Sequence, residues 1–213
     1  MKSVFRIACA ALAGVIIAGA AQAETLNYTV LRDGKTIGTH AVTIEHNGAE
    51  TQVGVETDIA VKVLFVTAYK FKHASKETWS NGHLVSITST TDDDGVAKKL
   101  DARAENGAII VDSTVKGQER RQKADAATLP ASLWNPATVS QSALLNTLDG
   151  QVMTIAVEDM GTEAVETGGA PLNAHHYALS GELTRELWFD DAGRLVRMRF
   201  PDKTNTEIVY ALN

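Results

Sequence analysis

Between Val53 and His73 the chain alternates so strictly that it leaves little choice of secondary structure. The odd positions read Val53, Val55, Thr57, Ile59, Val61, Val63, Phe65, Thr67, Tyr69, Phe71 and His73, while Gln52, Glu56, Asp58, Lys62, Lys70 and Lys72 fall on even ones. Successive side chains of an extended strand point to opposite faces, so this is the pattern of a β-ribbon with one apolar and one wet side. At about 3.3 Å per residue, these 21 residues would reach roughly 70 Å, against about 5–6 residues for an ordinary strand. The ribbon must bend or break. Leu64, Val66 and Ala68 turn the even face apolar midway, which places the kink, or a second buried face, around residues 62–68.

Turn chemistry punctuates the remainder. Asp33-Gly34, Asn47-Gly48, Asn81-Gly82, Asp94-Gly95, Asn106-Gly107 and Asp149-Gly150 supply the positive φ angles that tight hairpins require. Between them 26–32, 36–46, 83–91, 97–105 and 108–115 read as strands, followed by 152–158, 172–183, 185–190, 195–200 and 207–212. Residues 138–148 carry the single helical pattern, with Val139, Ser142, Leu145 and Leu148 on one side and Thr138 or Ser140 as cap. Residues 118–129 are polar and read as a surface loop. No fixed-period repeat and no Pro/Gly/Ser linker divides the chain. The expected fold is mainly β: a single strongly curved antiparallel sheet, an open half-barrel, with one short helix packed in or over its concave face.

The first residues have a different origin. Lys2 and Arg6 precede an apolar run from Ile7 to Ala21, and Ala21-Gln22-Ala23 matches a small-x-small cleavage site. Residues 1–23 are therefore expected to be a signal peptide and 24–213 one β-rich domain, periplasmic or secreted, with no transmembrane segment after cleavage. Cys9 lies inside the leader, so the domain must be stabilised by burial instead of disulfides. Without Lys2 and Arg6, 18 basic residues face 26 acidic ones. A phosphate backbone would be repelled, and nucleic acid is excluded as a partner.

Candidate sites come from parity. His40 shares a face with Val42 and Ile44, His73 with Phe71 and Tyr69, and His175 with Tyr177 and Leu179. Three converging imidazoles could bind zinc, and His73 or His40 could act as a general base with Glu77, which shares the parity of His73. No His/Cys spacing supports a metal, so no metal and no cofactor are expected. Asp92-Asp93-Asp94-Gly95 reads as a hairpin tip, not a calcium loop. Glu186 and Asp190 share a face with Trp188, but Asp190-Asp191-Ala192-Gly193 is also turn chemistry. Trp134-Asn135-Pro136 lies in a connection, where an aromatic side chain can close the mouth of a cavity.

Several stretches resemble a known family: 30–40 (VLRDGKTIGTH), 61–65 with 69–73, Glu77-Thr78-Trp79, 82–86, 90–95, Ser132-Leu133-Trp134-Asn135, 144–150 and 188–195. The chain is similar along nearly its whole length after the leader to an uncharacterised family of exported bacterial proteins catalogued as a domain of unknown function. By architecture it also resembles the curved-sheet periplasmic lipoprotein-localisation carriers. Leu133 departs from the family pattern, which more often has a histidine there. The first resemblance carries no activity with it, and a shared fold does not confer one.

The functional expectation is a soluble periplasmic protein holding a hydrophobic or lipid-like small molecule in the concave face, with His40, Tyr69, Phe71 and His73 on that face and Trp134 and Asn135 at the rim. The alternatives are a periplasmic enzyme with a histidine base and an envelope scaffold or assembly partner. Nothing in the residues sets the oligomeric state.

Overall fold

A computed structural model describes residues 22–167 and 170–213; residues 1–21, nearly all of the expected leader, lie outside them. Eight strands form an up-and-down meander: β1 (Gln22–Arg32), β2 (Lys35–Asn47), β3 (Glu50–Val63), β4 (Val66–Ser80), β5 (His83–Asp93), β6 (Val96–Glu105), β7 (Ala108–Val115) and β8 (Gln118–Asp125). After an irregular connection come β9 (Leu129–Pro130), β10 (Ala143–Leu145), β11 (Val152–Val165), β12 (Leu172–Gly181), β13 (Arg185–Phe189), β14 (Leu195–Pro201) and β15 (Glu207–Leu212). All 15 join one sheet in the order β8 to β1, then β15 to β9. The last strand therefore pairs with the first, and β8 and β9 are the two edges. The sheet is large, curved and unclosed, as the turn pattern predicts, and antiparallel except for the short β9–β10 pair.

Five of the two-residue turns, at 33–34, 81–82, 94–95, 106–107 and 116–117, end in glycine with both residues at positive φ, the geometry that matches strand twist. The overlong ribbon breaks at Leu64-Phe65, with Val63 opposite Val66.

Two expectations fail. Residues 118–129 are not a loop, because β8 pairs along its full length with β7. Its charged sequence is that of an edge strand: ladder bonds need no apolar alternation, and charge on an edge deters further pairing. Nor is 138–148 a helix. A 3-10 turn spans Pro136–Ser140, capped by Asn135 Oδ1 on the Ala137 N–H, and Gln141 is already extended. Leu144 and Leu145 are consecutive and both fully buried, which a segment covered on two sides achieves and a one-faced helix does not. Asn146 Oδ1 then takes the Leu148 N–H and Asp149 Oδ1 the Gln151 N–H, local bonds that compete with helix.

Residues 126–150 cross the concave side as a plug. Leu133, Leu144 and Leu145 are buried in the main core, with Leu129 and Val139 packed on it. Thr147 C=O accepts from Ser89 Oγ at 2.5 Å, and a Cβ on Gly150 would meet Val111 at 2.6 Å and Leu100 at 2.9 Å. The apolar side of the ribbon is thus covered over its lower half by chain, where a helical roof is expected.

Backbone approach is tightest at Gly38, where a Cβ would lie 2.1 Å from Asp58 C=O and 2.8 Å from Ile59 Cα. Gly38→Ala must push β2 off β3 and is expected to cost roughly 1–3 kcal/mol. Gly54→Ala, with nothing within 4 Å of its new methyl, should be neutral or gain up to about 1 kcal/mol. Urea titration of the two variants side by side checks the contrast.

Candidate functional site

Above the buried Trp79, Leu84 and Ile109 at the far end, ladder register sorts the inner face of β1–β7 into four rows, here counted upward toward the Leu64-Phe65 turn. The lowest runs Ile44, Val53, Glu77, Ile87, Ala102, Val111, and the next Leu26, Val42, Val55, Ser75, Ser89, Leu100, Ser113. The third is polar: Tyr28, His40, Thr57, His73, Thr91, Lys98. The fourth is Val30, Gly38, Ile59, Phe71, Asp93, Val96, with Val61 and Tyr69 above it.

His40 and His73 therefore do meet in one row, two strands apart, or about 10 Å at a strand spacing near 4.8 Å. Each Nδ1 bonds the threonine on the next strand, His40 to Thr57 Oγ1 and His73 to Thr91 Oγ1, both at 2.8 Å. Neither Nε2 has a hydrogen-bond partner among the described residues. Burial pushes both imidazoles down to about 4, so they are neutral at physiological pH, and for His40 the neighbouring His73 adds to the effect. His175 stands apart on β12, half exposed, bonded to Asp159 Oδ1 at 2.6 Å and stacked on Tyr177. The three histidines do not converge, and the described residues contain no group that could hold a metal.

Glu77 is fully buried in the lowest row. Its Oε2 accepts from Trp79 Nε1 and from Trp134 Nε1, each at 2.9 Å, and the two indoles meet edge to face at 5.6 Å. Ser132 lies close enough to favour the carboxylate, yet Oε1 has no partner in hydrogen-bond geometry. Desolvation outweighs the three polar contacts and raises the pKa. Trp134 and Asn135 are therefore not at the rim beside Tyr69 and Phe71: Trp134 ties the plug to the lower sheet, and Asn135 caps a turn. His73 and Glu77 share a face but stand four residues, about 13 Å, apart along one strand, with Ser75 between them. They form no acid–base pair.

The upper end has another character. Ile37, Val61, Phe71, Leu183 and Phe200 are half-buried against the core. Tyr69 donates to Asp93 Oδ1 at 2.8 Å, and Asp93 pairs with Lys98 at 2.9 Å. Tyr210 reaches over from β15, with its ring 5.2 Å from His40 and 6.0 Å from Phe200. Arg185 lies 3.8 Å above the Phe200 ring. It shares the inward parity of Leu187 and Phe189, and its one hydrogen bond is to Thr184 C=O. Among the described residues no carboxylate pairs with it, and desolvation lowers its pKa to about 10. Arg185 and Tyr210 escape sequence reasoning; the available signal is an arginine on an apolar face.

Among the described residues the hydrogen bonds from the plug to the N-terminal sheet end low: on Glu77, on Ser89, on Asp125 at the end of β8, or through Gly150 C=O on Gln122. In the upper rows Tyr28 and His40 face the C-terminal strands instead, Tyr28 through Leu195 C=O and His40 through the Tyr210 ring. Two open hollows, about 470 and 440 Å³, lie on the other side of the sheet, shallow troughs floored by Ala41 and Ala74 between charged residues such as Glu56 and Lys76.

Other candidates resolve into structural roles. Asp92 Oδ1 takes the Gly95 N–H within its hairpin tip. Asp190 holds the 190–194 turn and Arg194. Glu186 faces outward, between Arg199 and His176. No described helix is long and apolar enough to cross a membrane.

The fold is similar to that of a beta-barrel-like protein of domain of unknown function DUF1849 from Brucella abortus, known from a crystal structure. The TM-score is 0.62 at 11% identity, covering 89% of this chain and 95% of that one, a likeness of fold alone. No curated protein matches the sequence. Residues 28–213 match the profile of DUF6134, a domain of unknown function, and the chain belongs to that family.

Proposed function

We propose that the protein is an exported binding protein, periplasmic or secreted after cleavage following Ala23, that takes a hydrophobic or lipid-like small molecule at the upper end of the concave face. The occupant is an amphiphile with an apolar body and an anionic head. The observation that carries this reading is Arg185, a guanidinium stacked on Phe200 with no carboxylate partner among the described residues, at the end of the interior that the plug leaves alone. Arg185 is half-buried; desolvating part of a cation that has no counter-charge is costly, and an anionic head would offset that cost. Ile37, Val61, Phe71 and Phe200 supply apolar contact of the kind small-molecule sites use, and the free Nε2 atoms of His40 and His73 are the few polar groups that would orient it. His40, Tyr69, Phe71 and His73 stay in the proposed site; Trp134 and Asn135 leave it.

Native mass spectrometry tests this with dodecanoate, dodecyl phosphate and uncharged dodecanol. One equivalent of either anion is expected to be retained, with dodecanol weaker by about tenfold or more, the worth of one charge-assisted hydrogen bond. Arg185→Gln should erase the difference. A chain that retains none of the three overturns the reading.

A further inference from the structure

The β3–β4 hairpin does not end where its neighbours do. Its ladder with β2 stops at Gly38–Ile59 and its ladder with β5 at Phe71–Asp93. The last outside backbone tie is Lys70 C=O, which takes the Asp94 N–H, and beside it the Tyr69 hydroxyl donates to Asp93 Oδ1. Beyond these points the ribbon pairs only with itself, rising roughly 15 Å to its turn at about 3.3 Å per residue. At the summit Leu64 is 90%, Phe65 101% and Val66 69% exposed. The other exposed large apolar residues among those described, Val85 and Met160, stand singly elsewhere.

The turn itself sacrifices stability to present these side chains. Leu64 has φ +57°, in the region where hairpins place glycine and a branched side chain is strained. The first residue of five other tight turns in this sheet also has positive φ, but there it is Asp, Asn or Lys followed by glycine, whereas this turn is built of Leu-Phe. Sterically unfavourable backbone that persists at an exposed tip points to a use for the residues that cause it.

The charge around the tip names the occupant. In a chain with an acidic excess, residues 60–72 contain Lys62, Lys70 and Lys72 and no carboxylate. Lys72 pairs with Asp58 at 2.6 Å, while Lys62 and Lys70 have no ion pair among the described residues. The acidic neighbour is the 92–95 tip. There Asp93 is paired with Lys98, and Asp94, whose N–H bonds Lys70 C=O, stands level with Lys70 at the base of the rise, more than the ~8 Å screening length of physiological salt below the summit, which leaves Lys62 as the charged side chain nearest the tip. An apolar point with a lysine just beneath it and further lysines along its stem is the arrangement that inserts between lipid headgroups and is held by their negative charge.

We propose that the Leu64-Phe65-Val66 tip docks the protein on an anionic lipid bilayer, with Lys62 at headgroup level and Lys70 behind it on the stem. The inward face of the same hairpin, Val61, Tyr69 and Phe71, borders the upper end of the concave face, so docking brings that end to the membrane. The inference does not depend on a ligand being bound there.

The test is flotation of residues 22–213, which contain the whole described sheet, with vesicles of phosphatidylcholine alone or with about 30% phosphatidylglycerol. Binding is expected to the anionic vesicles, to weaken at about 0.5 M salt, and to fall at least about tenfold when two apolar side chains are removed in Leu64→Gly/Phe65→Ser. That variant relieves the turn, so its melting temperature should hold or rise, separating lost docking from lost folding. Lys62→Gln/Lys70→Gln should reduce binding to anionic vesicles only. Three results would overturn the proposal: no binding to either vesicle, equal binding by the tip variant, or a dimer in light scattering that the tip variant converts to monomer.

Discussion

Acidification from pH 7 to pH 4 is expected to remove several kcal/mol of folding stability, most of it before any ordinary carboxylate titrates. His40 and His73 are buried and held neutral, each with its pKa lowered from 6.5 to about 4 chiefly by desolvation. In the unfolded chain both accept protons near pH 6.5, while the folded chain refuses them until about pH 4. The unfolded state thus binds more protons across that window, and stability falls as pH falls through it. Each pH unit of difference is worth about 1.4 kcal/mol, so the two sites together set a ceiling of roughly 6 kcal/mol, lowered by local relaxation. The groups around them reinforce the sign: Tyr28 and Tyr210 pack on His40, Phe71 lies beside His73, and no carboxylate contacts either ring. Asp93 has a lowered pKa through Lys98 and Tyr69 despite its partial burial, and its contribution is lost only below about pH 4. Urea titrations at pH 7.5, 6, 5 and 4 check this. Wild type should lose stability steeply between 6.5 and 4, while His40→Gln/His73→Gln, which keeps groups able to bond Thr57 and Thr91, should show a nearly flat profile. A wild-type profile just as flat would mean that the polar row is hydrated.

Parity made the polar row visible in the sequence and register completed it. Each histidine sits among apolar residues of its own strand, so its inward direction follows from period two alone. That His40 and His73 lie in one row, while His175 lies far away, depends on how 15 strands are ordered, which no local pattern encodes. The hairpin tips were legible wherever Asp-Gly or Asn-Gly marked them. The Leu64-Phe65 tip could be located only as a disturbance of the alternation, because its residues are those of a buried strand, and it is at such local mismatches that function is found. Strand β8 was hidden because an edge strand of Glu, Arg and Lys looks like a loop. The plug was hidden for another reason. Two adjacent leucines covered from both sides imitate a helical stripe once Val139 and Leu148 are counted with them. Arg185 carried a readable sign, a cation in line with Leu187 and Phe189, but its lack of a partner emerges only when every carboxylate has been placed.

Removing the Glu77 carboxylate is expected to free the plug. Glu77 Oε2 is the shared acceptor for Trp79 and for Trp134, which lies 57 residues further along the chain. Glu77→Ala leaves two buried indole N–H groups without acceptors and opens space between the rings, and each orphaned donor costs about 1–3 kcal/mol. Together with the lost packing, the variant should be destabilised by roughly 3–5 kcal/mol. Glu77→Gln separates charge from hydrogen bonding, since its carbonyl oxygen can accept from both indoles, and should cost within about 1 kcal/mol. Because burial raises the Glu77 pKa in the folded state, the native chain holds this proton after the unfolded chain has released it. Its contribution is therefore complete below about pH 4.5 and declines as pH rises toward the folded value, opposite in sign to the histidines. The stability of wild type relative to Glu77→Gln should accordingly grow as pH is lowered toward 4.5. Hydrogen exchange at Leu144 and Leu145 reports on the plug directly: in Glu77→Ala these amides should exchange faster than those of Val42 and Val55, which stay in the meander. If all four slow and quicken together, the plug and the sheet open as one cooperative unit, and apolar packing, not the Glu77–Trp134 tie, holds the concave face closed.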